Sequence, residues 1–504
     1  MRWDIAAPII ILLALMIPIA LYSLRRTKQQ ASASGGYYIG GRSLGPIILI
    51  FTVIASAASS GTFLGAPGLA FAEGYGWIWG ALMQVPAAIL ALGLVGKKFA
   101  IVGRKLNLIT FTDFFKARYE SRAVTLVTAI CMVVFLVAYM VAQFVGGARV
   151  LEAITGVPFW ILVIVFALIV ALYTSIGGFL AAAFTDAAQG IIMLLGGVVL
   201  WILVLTTVGG FAGIERETRT VDPELLVLPG ASGFDLPMMF SYAVMFGFLL
   251  ACLPHVVVRA MSYRDSKSLH RALYIGPAIF MLFTLGFGAM GVVGKALYPE
   301  APVADLVIPH MIIEQLPGPL AGAVLAAPLA AVMSTVDSMI LVVSGAIVRD
   351  LWKEFIKPEM TDRQEYRAGT LVSLGIGVIV LLLSLQPPDF LQFIINFAIG
   401  GLEAGLFVPL ILGLYWKRGN ALGALLSISG GMIYYLLASE FFEALAFGMM
   451  PVLPAAVFAL GMYLLGSCVG RPPSHQVLVK FWGTQRAIER ELGYDPGDAG
   501  VRRV

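Results

Sequence analysis

The sequence predicts an all-α polytopic membrane protein with about 13 transmembrane helices, and three observations predict it. Composition is the first: of 504 residues, 60% are hydrophobic and 12% charged, with a mean hydropathy of +0.92. Soluble domains run near roughly 45–50% apolar and 25% charged. The second is a series of apolar segments, each close to the ~20 residues that cross a bilayer as a helix. They fall at 5–24, 46–71, 76–96, 123–147, 158–176, 185–207, 236–256, 273–294, 318–347, 369–386, 391–415, 421–438 and 447–467. The third is that the second and seventh segments are both interrupted by proline.

The first segment, Ile5 to Tyr22, has the apolarity of a secretory leader. Arg25 and Arg26 follow it without a small-residue cleavage site, so it reads as a retained span. A polar loop, RRTKQQASASGGYYIGGRSLG, leads into the second segment. With the N-terminus outside, 28 of the 33 Lys and Arg fall on cytoplasmic segments. Only Arg2, Arg149, Arg216, Arg219 and Lys295 stay outside. This bias orients the chain in an inner or plasma membrane with the N-terminus out and the C-terminus cytoplasmic.

In the second segment, SSGTFLGAPG (59–68) crowds Ser, Gly and Pro into mid-membrane. In the seventh, Cys252-Leu253-Pro254-His255 is the weak point. Proline removes a backbone bond, and the freed carbonyls need a cavity or a partner. Pro67 and Pro254 therefore mark broken helices five spans apart, the pattern of two five-helix inverted repeats. The expected organisation is 1–45, first helix and cytoplasmic loop; 46–207, first repeat; 208–235, outer loop; 236–415, second repeat; 416–468, two added helices; and 469–504, a cytoplasmic tail.

Within 318–347 lies AAVMST, residues 330–335. On a helix Ala331, Ser334 and Thr335 share one face. Adjacent hydroxyls and nearby carbonyls are hard oxygen ligands that suit Na⁺. The same residues also serve for helix packing or for bonding a carbonyl one turn back. Intramembrane ionisable residues are costly and tend to be functional. Asp186 and Gln189 share a face at the cytoplasmic start of the sixth span, where Asp186 also reads as an interfacial carboxylate favoured by the helix dipole. Asp337 lies three residues beyond Ser334, and Glu403 well inside the eleventh span. Gln143 is deep in the fourth, and His255 follows the Pro254 break. Arg259, one turn on, is expected to snorkel to the inner surface.

Cys131, Cys252 and Cys468 form no CxxC, and the four histidines are scattered. No nucleophile stands with a base and no carboxylates are paired for acid–base work, so no enzyme is expected. The basic residues trace the inner membrane face rather than a groove-sized patch, so the expected surroundings are lipid, not nucleic acid. A membrane solute sensor built on the same fold remains an alternative, although a tail of about 36 residues holds no signalling domain.

The chain resembles the sodium:solute symporter family along nearly its whole length. The resemblance is carried by YYIGGRSLG (37–45), GAPG (65–68), LYTSIGGFLAAAFTDAAQ (172–189), PHVVVR (254–259), AAVMST (330–335) and LGLYWKRGNALGA (412–424). Within the family it is most similar to the sodium/pantothenate symporters, on FVGGARVLEAITGVP (144–158), GKKFAI (96–101), LPHVVVRAMSYRDSK (253–267) and ADLVIP (304–309). The resemblance implies a leucine-transporter-type five-plus-five inverted repeat and a Na⁺ site at Ala55, Ala58, Ala331, Ser334 and Thr335. It associates Asp186 with cation coupling or inward exit. Ala57 stands where proline-transporting relatives carry aspartate, which argues against a proline carrier.

The expected function is Na⁺-coupled import of a small organic anion, pantothenate first, another organic acid or an amino acid as the alternative. Ser59, Ser60, Thr62, Gln143 and His255 are the expected solute contacts, with Glu403 at the pocket's edge. A charged Glu403 there conflicts with an anionic solute.

Overall fold

A computed structural model of the chain describes residues 3–28, 37–39, 44–229, 235–299, 303–386 and 391–483. Parts of the expected first cytoplasmic loop (29–36 and 40–43) and the tail beyond 483 lie outside the described residues. Apart from one isolated bridge between Leu44 and Tyr263, every regular element among the described residues is a helix or helical turn.

In chain order the elements begin with α1 (Trp3–Lys28), α2 (Pro46–Ala57), α3 (Gly61–Glu73) and α4 (Tyr75–Lys105). Then come α5 (Phe111–Tyr119), α6 (Arg122–Thr155), α7 (Phe159–Val208) and α8 (Phe211–Val221). The second half holds α9 (Leu236–Gly247), α10 (Pro254–Ala260), α11 (Ser266–Leu297), α12 (Val307–Gln315) and α13 (Gly318–Gly345). It ends with α14 (Asp362–Ser384), α15 (Leu391–Tyr415), α16 (Ala421–Glu440), α17 (Val452–Val469) and α18 (His475–Trp482).

Nine helices among the described residues are long and apolar enough to cross a membrane, and counting each of two bent pairs as one span makes eleven. The 50-residue α7 is about 75 Å long at 1.5 Å per residue, more than twice the hydrocarbon core. It turns at Gly178 (φ 62°, ψ −162°), which divides it into two spans and makes twelve. The apolar part of α1, Trp3–Met16, is shorter than these spans.

The bent pairs are α2 with α3, at 61°, and Leu236–Cys252 with α10, at 50°. The second break follows the expectation. Leu253 is extended before Pro254, as the proline ring demands, and Pro254 opens α10. The first break is not at Pro67. The chain leaves the helix at Ala58 (φ −80°, ψ 124°), and Pro67 lies inside α3, on the first turn after a π-helical stretch, Gly61–Gly65. That wider turn, in which Ala66 N–H bonds Gly61 O, accommodates the proline. The helix ends earlier because side chains replace its ladder: Ser59 Oγ accepts the Gly61 N–H at 3.0 Å, and Gln143 Oε1 accepts the Ser60 N–H at 2.9 Å.

At the centre stands α13, packed against α1, α6, α7 and α14. In its membrane window 89% of residues are buried, against 33% for α14 and 39% for α16 and α17. Its run of Gly and Ala lets neighbouring backbones approach closely.

The bend at Gly178 generates a prediction. Its φ and ψ lie in a region open essentially to glycine, and an added Cβ would stand 2.7 Å from the Tyr37 ring. Gly178→Ala should therefore lower stability by about 1–3 kcal/mol, read as a lower unfolding temperature in detergent. An unchanged temperature would show that the bend tolerates a side chain.

Candidate functional site

The end of α2 faces the middle of α13. The last carbonyls of a helix lack intrahelical partners, and here they meet hydroxyls. Ser334 Oγ lies 2.8 Å from Ala55 O, 2.9 Å from Ala330 O and 3.1 Å from Ala331 O. Thr335 Oγ1 lies 3.0 Å from Ala58 O and 2.9 Å from Ala331 O. All five residues expected at the Na⁺ site are brought together, each 0% exposed. Each hydroxyl has one hydrogen and donates to one acceptor at a time. The cradle therefore holds more oxygen lone pairs than protons, the donor set of a hard cation.

Directly beyond it lies a cavity. It is lined from the break by Ser59, Gly61 and Thr62, from α4 by Trp77 and Gln84, from α6 by Tyr139, from α9 by Phe246 and from α15 by Gln392. Its free volume of about 60 Å³ holds a few water molecules. Tyr139 OH donates to Ser59 Oγ at 3.2 Å. Gln392 Nε2 donates to Asn396 Oδ1 at 2.7 Å, and Asn396 Nδ2 to Tyr242 OH at 3.3 Å. No charged side chain is among the lining residues.

Of the expected solute contacts, Ser59 and Thr62 line this cavity and the other four do not. Ser60 and Gln143 are buried behind it, with Gln143 holding the break open through the Ser60 N–H. His255 lines a second, smaller cavity with Phe179, Arg259 and Ser338, and its ring stands edge-on to Tyr139 at 6.0 Å. Glu403 is fully buried in α15, with neither carboxylate oxygen bonded. It is not among the residues that line the cavity. Trp77, Gln84, Tyr139, Phe246 and Gln392 were not singled out from the sequence. Gln392 and Asn396 did leave a signal: two amides one helical turn apart in an apolar span.

Towards α10 the cradle gives way to a cluster of charges. Arg259 is 1% exposed and does not snorkel. Its Nη2 pairs with Asp186 Oδ2 at 2.8 Å, and its Nη1 donates to Thr52 Oγ1 at 2.6 Å. Thr52 Oγ1 donates in turn to Asp186 Oδ2 at 2.6 Å, and Arg259 also bonds Ser338. Asp337 Oδ1 lies 3.9 Å from the guanidinium, and Tyr173 OH donates to Asp337 Oδ2 at 3.2 Å. Phe179 lies under the guanidinium at 5.0 Å. Burial explains the difference from expectation: with two carboxylates and two hydroxyls in reach, the arginine is satisfied without water. The cluster ties α2, α7, α10 and α13 together. Gln189 takes no part in it; its Nε2 contacts Met16 Sδ of α1 at 3.4 Å.

The model of the Sodium:solute symporter family matches residues 37–431. The chain is 37% identical over 473 residues to the Sodium/pantothenate symporter of Escherichia coli (strain K12), covering 93% of this chain and 97% of that one. Against the Sodium/pantothenate symporter of Haemophilus influenzae, identity is 35% over 474 residues, with the same coverage. Among solved structures, a Na⁺-coupled sialic acid symporter in a substrate-bound, outward-open state is similar with a TM-score of 0.80 at 22% identity. The match covers 94% of this chain and 98% of that one. The fold is thus of the leucine-transporter type.

The charge cluster carries its own prediction. Removing one partner from a buried ion cluster costs about 3–5 kcal/mol. Arg259→Ala leaves Asp186 and Asp337 facing each other without a cation and should lower the unfolding temperature in detergent sharply. Arg259→Lys, which keeps the charge but not the planar fork, should fall between. A wild-type unfolding temperature for Arg259→Ala would refute the structural role of the cluster.

Proposed function

The chain belongs to the sodium:solute symporter family, and from that we propose that it imports pantothenate with Na⁺ by alternating access. Na⁺ is the co-transported ion and the protein is an integral membrane transporter. The observation that carries the reading is the shared break. Ala55 and Ala58 offer their carbonyls to the cation cradle, and Ser59 and Thr62, within four residues of Ala58, line the cavity. A cation bound by the carbonyls orders the same few residues that shape the pocket, so ion and solute favour one arrangement together.

Pantothenate itself is supported by the two relatives named above, both sodium/pantothenate symporters. A lining of amides, hydroxyls and aromatic rings without charge suits a solute with hydroxyl and amide groups. The cavity is too small to hold such a molecule as it stands, so loading needs its walls to part. The Asp186–Arg259 pair, with Thr52 and Ser338, bars the inward path, and its separation is the inward release step in this reading. We assign the repeats to 46–207 and 236–415, with the N-terminus outside and the C-terminus in the cytoplasm.

Uptake into proteoliposomes tests this. Pantothenate should accumulate only under an inward Na⁺ gradient, and proline, acetate and sialic acid should not. Absence of Na⁺-driven accumulation of every solute would refute symport in the reconstituted protein, while uptake of another panel member alone would refute the pantothenate assignment. Ser334→Ala with Thr335→Ala should raise the Na⁺ concentration for half-maximal uptake roughly tenfold or more, about 1 kcal/mol for each hydroxyl. An unchanged Na⁺ dependence in that variant would place the ion elsewhere.

A further inference from the structure

The segment ADLVIP (304–309), in the outer loop between α11 and α13, has no part in the mechanism above. Its aspartate, Asp305, sits in a short 3₁₀ turn, Ala304–Leu306, and is 1% exposed. Oδ2 accepts the N–H of Leu391, the first residue of α15, at 2.9 Å. The first N–H groups of a helix have no partner within it and carry the positive end of its dipole. Here one of them is satisfied from a loop 86 positions earlier in the chain. The same carboxylate is seated on α3: a Cβ built on Gly68 would stand 2.6 Å from Oδ1, so glycine permits the close approach. Burial pushes the Asp305 carboxyl up to about 6, opposed by the Leu391 bond and the charge of Arg149 on α6.

Leu391 precedes Gln392, which lines the cavity. The Gln392 amide is held at its nitrogen by Asn396, while its Oε1 is buried without a partner. An added Cβ on Gly61, at the broken helix, would lie 3.3 Å from that oxygen. The free oxygen is an acceptor awaiting a donor, and the start of α15 fixes where it points. We infer that Asp305 is a positioning residue for solute binding: by holding Leu391 against α3 it sets the Gln392 amide in the cavity. The inference rests on reading that cavity as the solute pocket.

The test uses the full chain in proteoliposomes and whichever solute of the panel it accumulates. Asp305→Ala should raise KM roughly tenfold with maximal rate per reconstituted protein within about twofold. Asp305→Asn, which keeps an acceptor oxygen of the same shape, should recover most of the loss. Gln392→Ala should raise KM by itself, and Asp305→Ala combined with Gln392→Ala should be no worse than Gln392→Ala alone. Additive effects overturn the positioning role. A Gln392→Ala variant with unchanged KM overturns the pocket reading, and a second measurement then decides the positioning without any solute. In a cysteine-free background, Gln392→Cys should react with a thiol reagent faster when Asp305 is alanine, and at the parental rate when it is asparagine. Equal rates in all three backgrounds overturn the inference whatever the solute.

Discussion

A carbonyl oxygen in hydrocarbon must find a partner, and the end of α2 leaves several that have none in their own helix. Two hydroxyls of α13 meet them. This contact satisfies the end of α2, holds it against the central helix and leaves a cradle short of protons. The cavity beside it exists because the chain, released from helical geometry for a few residues, turns Ser59 and Thr62 aside. Cradle and cavity are two faces of one interruption.

The second constraint is charge. Two aspartates and an arginine are taken out of water within a few ångströms of one another. Such a group is stable only while its geometry holds. It joins four helices, including both that are broken. A cluster of this kind does not deform by small steps; it is assembled or it is apart. That behaviour suits an element that distinguishes two access states.

The sequence made the architecture legible because hydropathy is a length measurement. Segments near twenty residues, a basic inner face and two interrupted spans left little freedom, and even the division of α7 near Gly178 was visible as a gap in the apolar pattern. Ser334 and Thr335 stood out for a similar reason, since hydroxyls one residue apart on an apolar helix are conspicuous, and they do meet the carbonyls of Ala55 and Ala58. Three things were not. Pro67 drew attention to itself, yet a π turn absorbs it, and a local hydrogen-bond exchange at Ser59 and Ser60 decides where the helix ends. Arg259 looked like an inner-surface residue because its partners, Thr52, Asp186 and Ser338, are distant in the chain. Glu403 and Gln143 looked like pocket residues because depth in a span says nothing about which side of the helix faces the cavity. Long-range pairing is what single-chain periodicity omits.

The position of α13 has a consequence for the membrane around the protein. A bilayer thinner or thicker than a protein's apolar belt acts first on the helices that touch lipid. Here those are the outlying helices, such as α14, α16 and α17, whereas the helix that carries Ser334 and Thr335 is screened by protein on nearly every side. Lipid thickness reaches the ion cradle only through these neighbours. In the proposed reading, the affinity for the driving ion is insulated from the bilayer, and lipid composition acts instead on how readily the outer helices let the two states exchange.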